Sequence, residues 1–339
     1  MIIYFIPDKY MTAWGLFYSA LKETNDIIVL TNNPEIAYLC SCVDIKFIFK
    51  DKDTSTLAKY ALELNPKAII IYNYFNEFVN VKPKIIQIFH GVIEKNWTYH
   101  HKTLYGYDAF FVPGEFGKNR LLEFNHPKNK IHKIGYPKMD GFFNGCYPKK
   151  LIAQELNLNS TKKIILYAPT HTWLSSEEYM FTILEEIITT HNVNLIIKLH
   201  DGSRLYKKYK EKFKGYPQVV MSKNNFNICR YFNLADILIS DVSSCMFEYA
   251  VTGKPIISVF TKKTYSNFID KCSVCLEKER KEQISYIVKE NKEKLFDLLN
   301  YVLNGSFNST KQLKAVKDVI ELRDGNAGKR AIETINKII

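Results

Sequence analysis

Asp236-Ile237-Leu238-Ile239-Ser240-Asp241-Val242-Ser243-Ser244-Cys245-Met246-Phe247-Glu248-Tyr249-Ala250-Val251-Thr252-Gly253-Lys254-Pro255-Ile256-Ile257 reads as strand, turn, helix and the start of a second strand. The apolar run 237–239 breaks at Ser240-Asp241, and the paired serines stand where a helix begins. Helix-forming residues follow as far as Gly253, and Lys254-Pro255 stops them before the apolar run 256–260. A helix start offers unpaired N–H groups and the positive end of a dipole, which attract phosphate. Glu248, one turn further in, is placed to reach a ribose hydroxyl. An ordinary capped helix is the plain alternative for this segment taken alone.

Outward from it, short apolar runs alternate with helix-like stretches. Strands are expected at 1–6, 27–30, 45–49, 68–72, 85–89 and 109–112, with helices at 12–22 and 54–64 among them. Gly135-Tyr136-Pro137 leads into a Gly/Asn/Pro-rich stretch, 140–148, that reads as a linker. The rhythm restarts with strands at 163–167, 195–198, 219–221, 237–239 and 256–260, and helices near 177–190 and 205–213. Such alternation predicts an α/β protein with parallel sheets and right-handed crossovers. Two halves joined by one linker predict two Rossmann-like domains facing a central cleft, over 1–145 and 146–325. A last helix, 326–339, is expected to pack back on the first domain. Ligands of this architecture bind beyond the carboxyl ends of the strands.

At 339 residues, two domains are the expectation. With 46% hydrophobic and 24% charged residues, the composition is that of a soluble globular protein. No segment reaches the roughly 20 apolar residues that span a bilayer. The start, Met1-Ile2-Ile3-Tyr4-Phe5-Ile6-Pro7-Asp8, lacks a basic region and reads as a strand, not a signal peptide, so a cytoplasmic location is expected. Seven scattered cysteines make a poor disulfide framework. Cys272-Ser273-Val274-Cys275 has no second pair, and Cys40-Ser41-Cys42 is too tight for a zinc knuckle.

The net charge of +12 lies mainly in the second half: 17 basic and 14 acidic residues in 1–145, against 30 and 21 in the rest. Its densest part runs from Arg204 to Lys214, with Tyr206, Tyr209 and Phe213 at helical spacing. A solvated helix face is one reading; an anionic membrane surface or polyanionic polymer is the other. No nucleic-acid-binding module is present, so nucleic acid is not expected as a partner.

Polar residues cluster at the predicted strand ends. The run 84–89 ends in His90-Gly91, 164–167 in Ala168-Pro169-Thr170-His171, 195–198 in Leu199-His200-Asp201-Gly202, and 237–239 in Ser240-Asp241-Val242-Ser243-Ser244. A single histidine there is usually structural; three at equivalent positions point to a site. With Lys95, Gly135-Tyr136-Pro137-Lys138-Met139-Asp140 and Lys198-Leu199-His200, these motifs occur in an order that resembles the CDP-glycerol glycerophosphotransferase family of teichoic-acid primases and polymerases. The resemblance covers about residues 85–260. It implies a GT-B fold and transfer of an alditol phosphate from a CDP-alditol to a hydroxyl of a glycan or polyol-phosphate acceptor, releasing CMP.

Under that resemblance, His90 is expected to act as the base toward the acceptor hydroxyl. His200, Lys198 and the amides around Ser243 and Ser244 would stabilise the departing CMP. Gly91, Thr170, His171, Asp241 and Glu248 are assigned to the donor, and Lys95 to an acceptor or donor phosphate. The family's usual arginine after Ala-Pro-Thr is replaced here by Thr172, which leaves the alditol open among glycerol, ribitol and longer polyols. No cofactor is expected. Asp51-Lys52-Asp53 is formally a metal-binding acidic triplet, but it precedes a helix, where acids suit the dipole. A GT-B nucleotide-sugar glycosyltransferase or epimerase of surface or capsule polysaccharide synthesis is the alternative enzyme. A non-enzymatic cell-surface assembly or membrane-binding protein is the other. For the enzyme, the cytoplasmic expectation leaves room for peripheral attachment to the inner face of the cell membrane through 204–214.

Overall fold

The computed structural model describes residues 1–7, 11–89, 91–92, 101–159, 161–170, 174–222, 227–264, 276–305 and 307–339. The chain divides into two compact units. One comprises Met1–Ile93, Trp97–Asn144 and Asp318–Ile339; the other contains Gly145–Lys317.

The first unit is built on β1 (Ile2–Ile6), β2 (Ile27–Thr31), β3 (Phe47–Phe49), β4 (Ala68–Ile71), β5 (Lys84–Ile88), β6 (Ala109–Val112) and β7 (Ile131–Lys133). All are parallel, in the order β3-β2-β1-β4-β5-β6-β7. Every residue of β1 and β4 is buried, as expected of central strands covered on both faces, which therefore read as unbroken apolar runs. At the edge, β3 exposes Phe47 and Phe49. The strand β7, Ile-His-Lys, escapes sequence reading because it is three residues long and two of them are polar.

The stretch 140–148, expected as a linker, is ordered at its start. Asp140–Phe143 forms a helical turn, and the buried Asp140 carboxylate accepts from the N–H groups of Ala327 (3.1 Å) and Gly328 (2.7 Å). Asp140 thus caps the Ala327–Ile338 helix from outside its own sequence. Gly328 lets that helix pack closely on the Thr12–Leu21 helix, since a Cβ there would stand 2.6 Å from the Ala20 nitrogen. The chain rejoins the first unit at Asp318, not at 326. The Phe116 N–H donates to Asp318 O at 2.9 Å, and the Glu321 N–H to Pro113 O at 3.1 Å.

The second unit contains β8 (Ile164–Tyr167), β9 (Asn194–Ile197), β10 (Val219–Met221), β11 (Ile237–Ser240), β12 (Ile256–Phe260) and β13 (Tyr286–Lys289). They are parallel, in the order β10-β9-β8-β11-β12-β13. The Glu177–Thr190 helix places Met180, Ile183, Leu184, Ile187 and Ile188 on one face at spacings of three and four, against Ile165, Leu195 and Ile197. Each such side chain contributes on the order of 1.5–3 kcal/mol on burial. From the lysine-rich Tyr206–Phe213 helix, Tyr209 and Phe213 enter the same core while Lys207, Lys208 and Lys210 stay exposed.

Candidate active site

Strand order reverses between β8 and β11, so their carboxyl ends form the switch point at which α/β sheets bind ligands. Backbone bonds align three strand ends there. The Lys198 N–H donates to Tyr167 O (2.9 Å), joining the end of β9 to β8, and the Ala168 N–H donates to Ile239 O (3.0 Å), joining β8 to β11. The loops that follow carry Thr170, His200 and Asp241 through Ser244.

Asp241 organises this edge. Fully buried, it accepts from the N–H groups of Thr170 (2.8 Å), Ser176 (2.9 Å) and Val242 (2.7 Å), and from the Ser176 hydroxyl (3.0 Å). Burial raises its carboxyl to about 6 even though those donors pull the other way. Its place is therefore behind the site, holding the loop after β8 against the loop after β11, and not on a donor-facing surface. The Ser240 hydroxyl, donating to Ala168 O at 2.6 Å, strengthens the same junction.

Ser243 and Ser244 are half-buried beside it. The expected serine-capped helix is only partly present. The helix is the short Cys245–Ala250, Ser244 makes no side-chain cap, and the Ser243 hydroxyl receives the Cys245 N–H at a long 3.5 Å. Six residues align few peptide dipoles, so phosphate affinity here depends on individual N–H and hydroxyl groups. Glu248 is fully buried within that helix, shielded from solvent where a ribose was expected.

His200 is half-buried, and the Gly202 N–H donates to its Nδ1 at 3.0 Å. Nδ1 is therefore the acceptor and the neutral ring carries its proton on Nε2, as a donor. Lys198 is nearly buried and lies 3.4 Å from Asp201 Oδ1. In the first unit Gly91 follows β5 and is buried. His90, Lys95, His171 and Thr172 lie outside the described residues.

Two residues that sequence reading passed over belong to this edge. Glu177, at the start of its helix, accepts from the Ser203 hydroxyl at 2.6 Å, and burial raises its carboxyl to about 7. A glutamate opening a helix looks like an ordinary dipole partner in sequence, and nothing there signals a loop 26 residues away.

Asp53, from the acidic triplet, caps the Thr54–Glu63 helix, accepting from the Thr56 N–H (3.0 Å) and hydroxyl (2.6 Å). Those hydrogen bonds lower its carboxyl. Among the described residues, no cluster of three or more His, Cys, Asp or Glu side chains is arranged to hold a metal. An open pocket of about 200 Å³, lined in part by Lys163, Asp236, Pro255 and Phe307, lies at the amino-terminal end of the second sheet, opposite the ligand-binding edge.

Among known proteins, the chain is 28% identical over 239 residues to the teichoic acid glycerol-phosphate primase of Bacillus subtilis (strain 168), covering 62% of this chain and 60% of that protein. To the teichoic acid glycerol-phosphate transferase of Staphylococcus aureus (strain NCTC 8325 / PS 47) it is 25% identical over 242 residues, covering 68% and 57%. The chain thus spans about 60% of the length of these relatives. The structure superposes on that of the wall teichoic acid polymerase TagF with a TM-score of 0.74 at 18% identity, covering 99% of this chain and 88% of that one. The UDP-GlcNAc 2-epimerase of Neisseria meningitidis matches with a TM-score of 0.67 at 15% identity, covering 99% and 100%. These likenesses show a GT-B fold. The model of the CDP-glycerol:poly(glycerophosphate) glycerophosphotransferase family matches residues 50–337, and the chain belongs to that family.

Proposed function

We propose that this protein transfers an alditol phosphate, glycerol phosphate first among the candidates, from a CDP-alditol to a hydroxyl of a teichoic-acid-like or related glycan acceptor. The acceptor oxygen attacks the distal phosphorus, the bond from that phosphorus to the CMP oxygen breaks, and CMP leaves with the charge. His90 takes the hydroxyl proton, with Lys95 near a phosphate and Gly91 allowing close approach. His200 donates from Nε2 toward the departing phosphate, while Lys198 and the groups of Thr170, His171, Ser243 and Ser244 meet the remaining charge. No metal is called for in this scheme. The observation that carries the proposal is the hydrogen bond from the Gly202 N–H to His200 Nδ1, which leaves Nε2 of the neutral ring as the donor, at a strand end beside the switch point in a chain of this family. A donor hydrogen bond at that place suits an anionic leaving group.

The test is CMP release from CDP-glycerol and CDP-ribitol in the presence of a polyol-phosphate primer. His200→Ala should lower turnover by about 10²–10³-fold, the usual range for loss of one hydrogen-bond donor that stabilises developing charge. Turnover of UDP- or GDP-sugars alone would move the protein to the glycosyltransferase or epimerase class.

We also propose peripheral attachment to the cytoplasmic face of an anionic membrane through the Tyr206–Phe213 helix and its flanks. Arg204, Lys207, Lys208, Lys210 and Lys214 are exposed there. Among the described residues no helix is long and apolar enough to cross a membrane.

A further inference from the structure

Ser176 and Glu177 are consecutive, yet their side chains serve opposite neighbours of β8. Ser176 turns to Asp241 in the loop after β11. Glu177 turns to Ser203 in the loop after β9. The strand order β9-β8-β11 makes this possible, because the helix that follows β8 starts between the other two loops.

From Glu177 a continuous chain of hydrogen bonds leads to the His200 turn. Glu177 Oε2 accepts from the Ser203 hydroxyl at 2.6 Å, and the Ser203 N–H donates to His200 O at 2.8 Å. The Gly202 N–H, in the same turn, donates to His200 Nδ1 at 3.0 Å. The Ser203 oxygen also receives the Leu205 N–H at 3.1 Å, so its single proton is committed to Glu177. The other carboxyl oxygen, Glu177 Oε1, is buried and has no hydrogen-bond partner among the described residues. A buried acidic group left half-satisfied is a costly arrangement for a helix start that needs only a dipole partner.

We propose that Glu177 is a positioning residue for the proposed transfer reaction. Through Ser203 it holds the 200–203 turn in the form that keeps His200 Nδ1 an acceptor and Nε2 a donor toward the departing phosphate. This rests on the donor-site reading given above for His200. The ionised carboxylate accepts the serine proton more strongly than the neutral acid does, so the hold tightens as Glu177 ionises. The groups that bear on that ionisation are Asp241 and Glu178, which disfavour it by charge, the Ser203 hydrogen bond and the neighbouring Ser175 hydroxyl, which favour it, and the phenols of Tyr167 and Tyr209 packed nearby.

The test is a double-mutant cycle between Glu177 and Ser203, read as kcat/KM for CMP release and, without substrate, as the ¹⁵N shifts of the His200 ring. Glu177→Ala and Ser203→Ala are each expected to lower kcat/KM about tenfold, chiefly in kcat, with the double variant no worse than either. Glu177→Gln, which keeps an acceptor for Ser203, should restore most of the activity but lose the rise of wild-type kcat/KM between pH 6 and 8. In all alanine variants the ring should shift away from the Nε2–H tautomer. Additive losses, or wild-type rates in either single variant, would overturn the proposal. Should the wild type release no CMP from any CDP-alditol, the donor reading fails, and the ring shifts decide the positioning role separately: unchanged tautomers would refute it. Because Ser203 is only half-buried, its variant keeps the test open if Glu177→Ala does not fold.

Discussion

Asp241 meets Ser176 twice: Oδ2 accepts the serine backbone N–H at 2.9 Å and its hydroxyl at 3.0 Å. One carboxylate, buried in the turn after β11, thereby fixes where the helix after β8 begins. The same carboxylate holds the Thr170 amide at 2.8 Å, and Glu177, which meets Ser203, is the residue directly after the anchored Ser176.

Replacing Asp241 by alanine leaves the N–H groups of Thr170, Ser176 and Val242 without their acceptor. The expected loss is about 3 kcal/mol of stability, together with CMP-releasing activity. Asparagine, which keeps one acceptor oxygen, should cost less. Urea unfolding of the two variants tests this, and equal stability to wild type would show that the anchor carries no weight.

Glu177 sets a pH dependence whose sign follows from burial. Its carboxyl titrates near 7 when folded, against an ordinary value of 4.5. Between those pH values the folded form keeps a proton that the unfolded chain has released, so stability falls as pH rises through the window. Glu177→Gln should therefore be more stable than wild type at pH 8, by about 3 kcal/mol, and should match it near pH 4. Asp241, raised to about 6, adds a slope of the same sign at lower pH that the variant retains. Denaturant midpoints across pH 4–8 provide the measurement; parallel curves for the two proteins would contradict it.

Asp140→Ala should release the start of the Ala327–Ile338 helix by removing the acceptor for Ala327 and Gly328. A lost helix cap costs about 1–2 kcal/mol. Amide exchange should rise most over 327–338. Uniform exchange throughout the first unit would mean that the cap is not what holds the helix.

The triple variant Lys207→Ala, Lys208→Ala, Lys210→Ala removes exposed charge while Tyr209 and Phe213 stay in the core. At about 1 kcal/mol for each lysine at an anionic surface, affinity for phosphatidylserine vesicles should fall on the order of 10²-fold. Turnover of a soluble acceptor should hold. Lost turnover with intact vesicle binding would assign the helix to the active site instead.

Much of this was legible in the chain itself. Ile-rich runs such as 68–71 and 237–239 have no polar face, so they belong inside sheets covered on both sides, and the alternation with helices makes those sheets parallel. The polar clusters after them, from Thr170, His200 and Asp241 to Ser244, follow because backbone that leaves the sheet ladder at a strand end needs polar partners. Short edge strands such as Ile131–Lys133 were not legible, since three residues carry too little periodicity to separate strand from loop.

What local pattern left open, tertiary contacts decided. Asp241 was read as a ligand residue, and its burial under four donors makes it an anchor. Glu177 looked like a dipole partner until the order β9-β8-β11 brought Ser203 to it. Asp140 sat in an apparent linker until Gly328, 188 residues later, supplied the N–H it accepts. Hydrophobic pattern is written at intervals of two to four residues and survives in one dimension. The pairing of a buried carboxylate with a donor far along the chain has no interval, and exists only once the sheets have set which loops are neighbours.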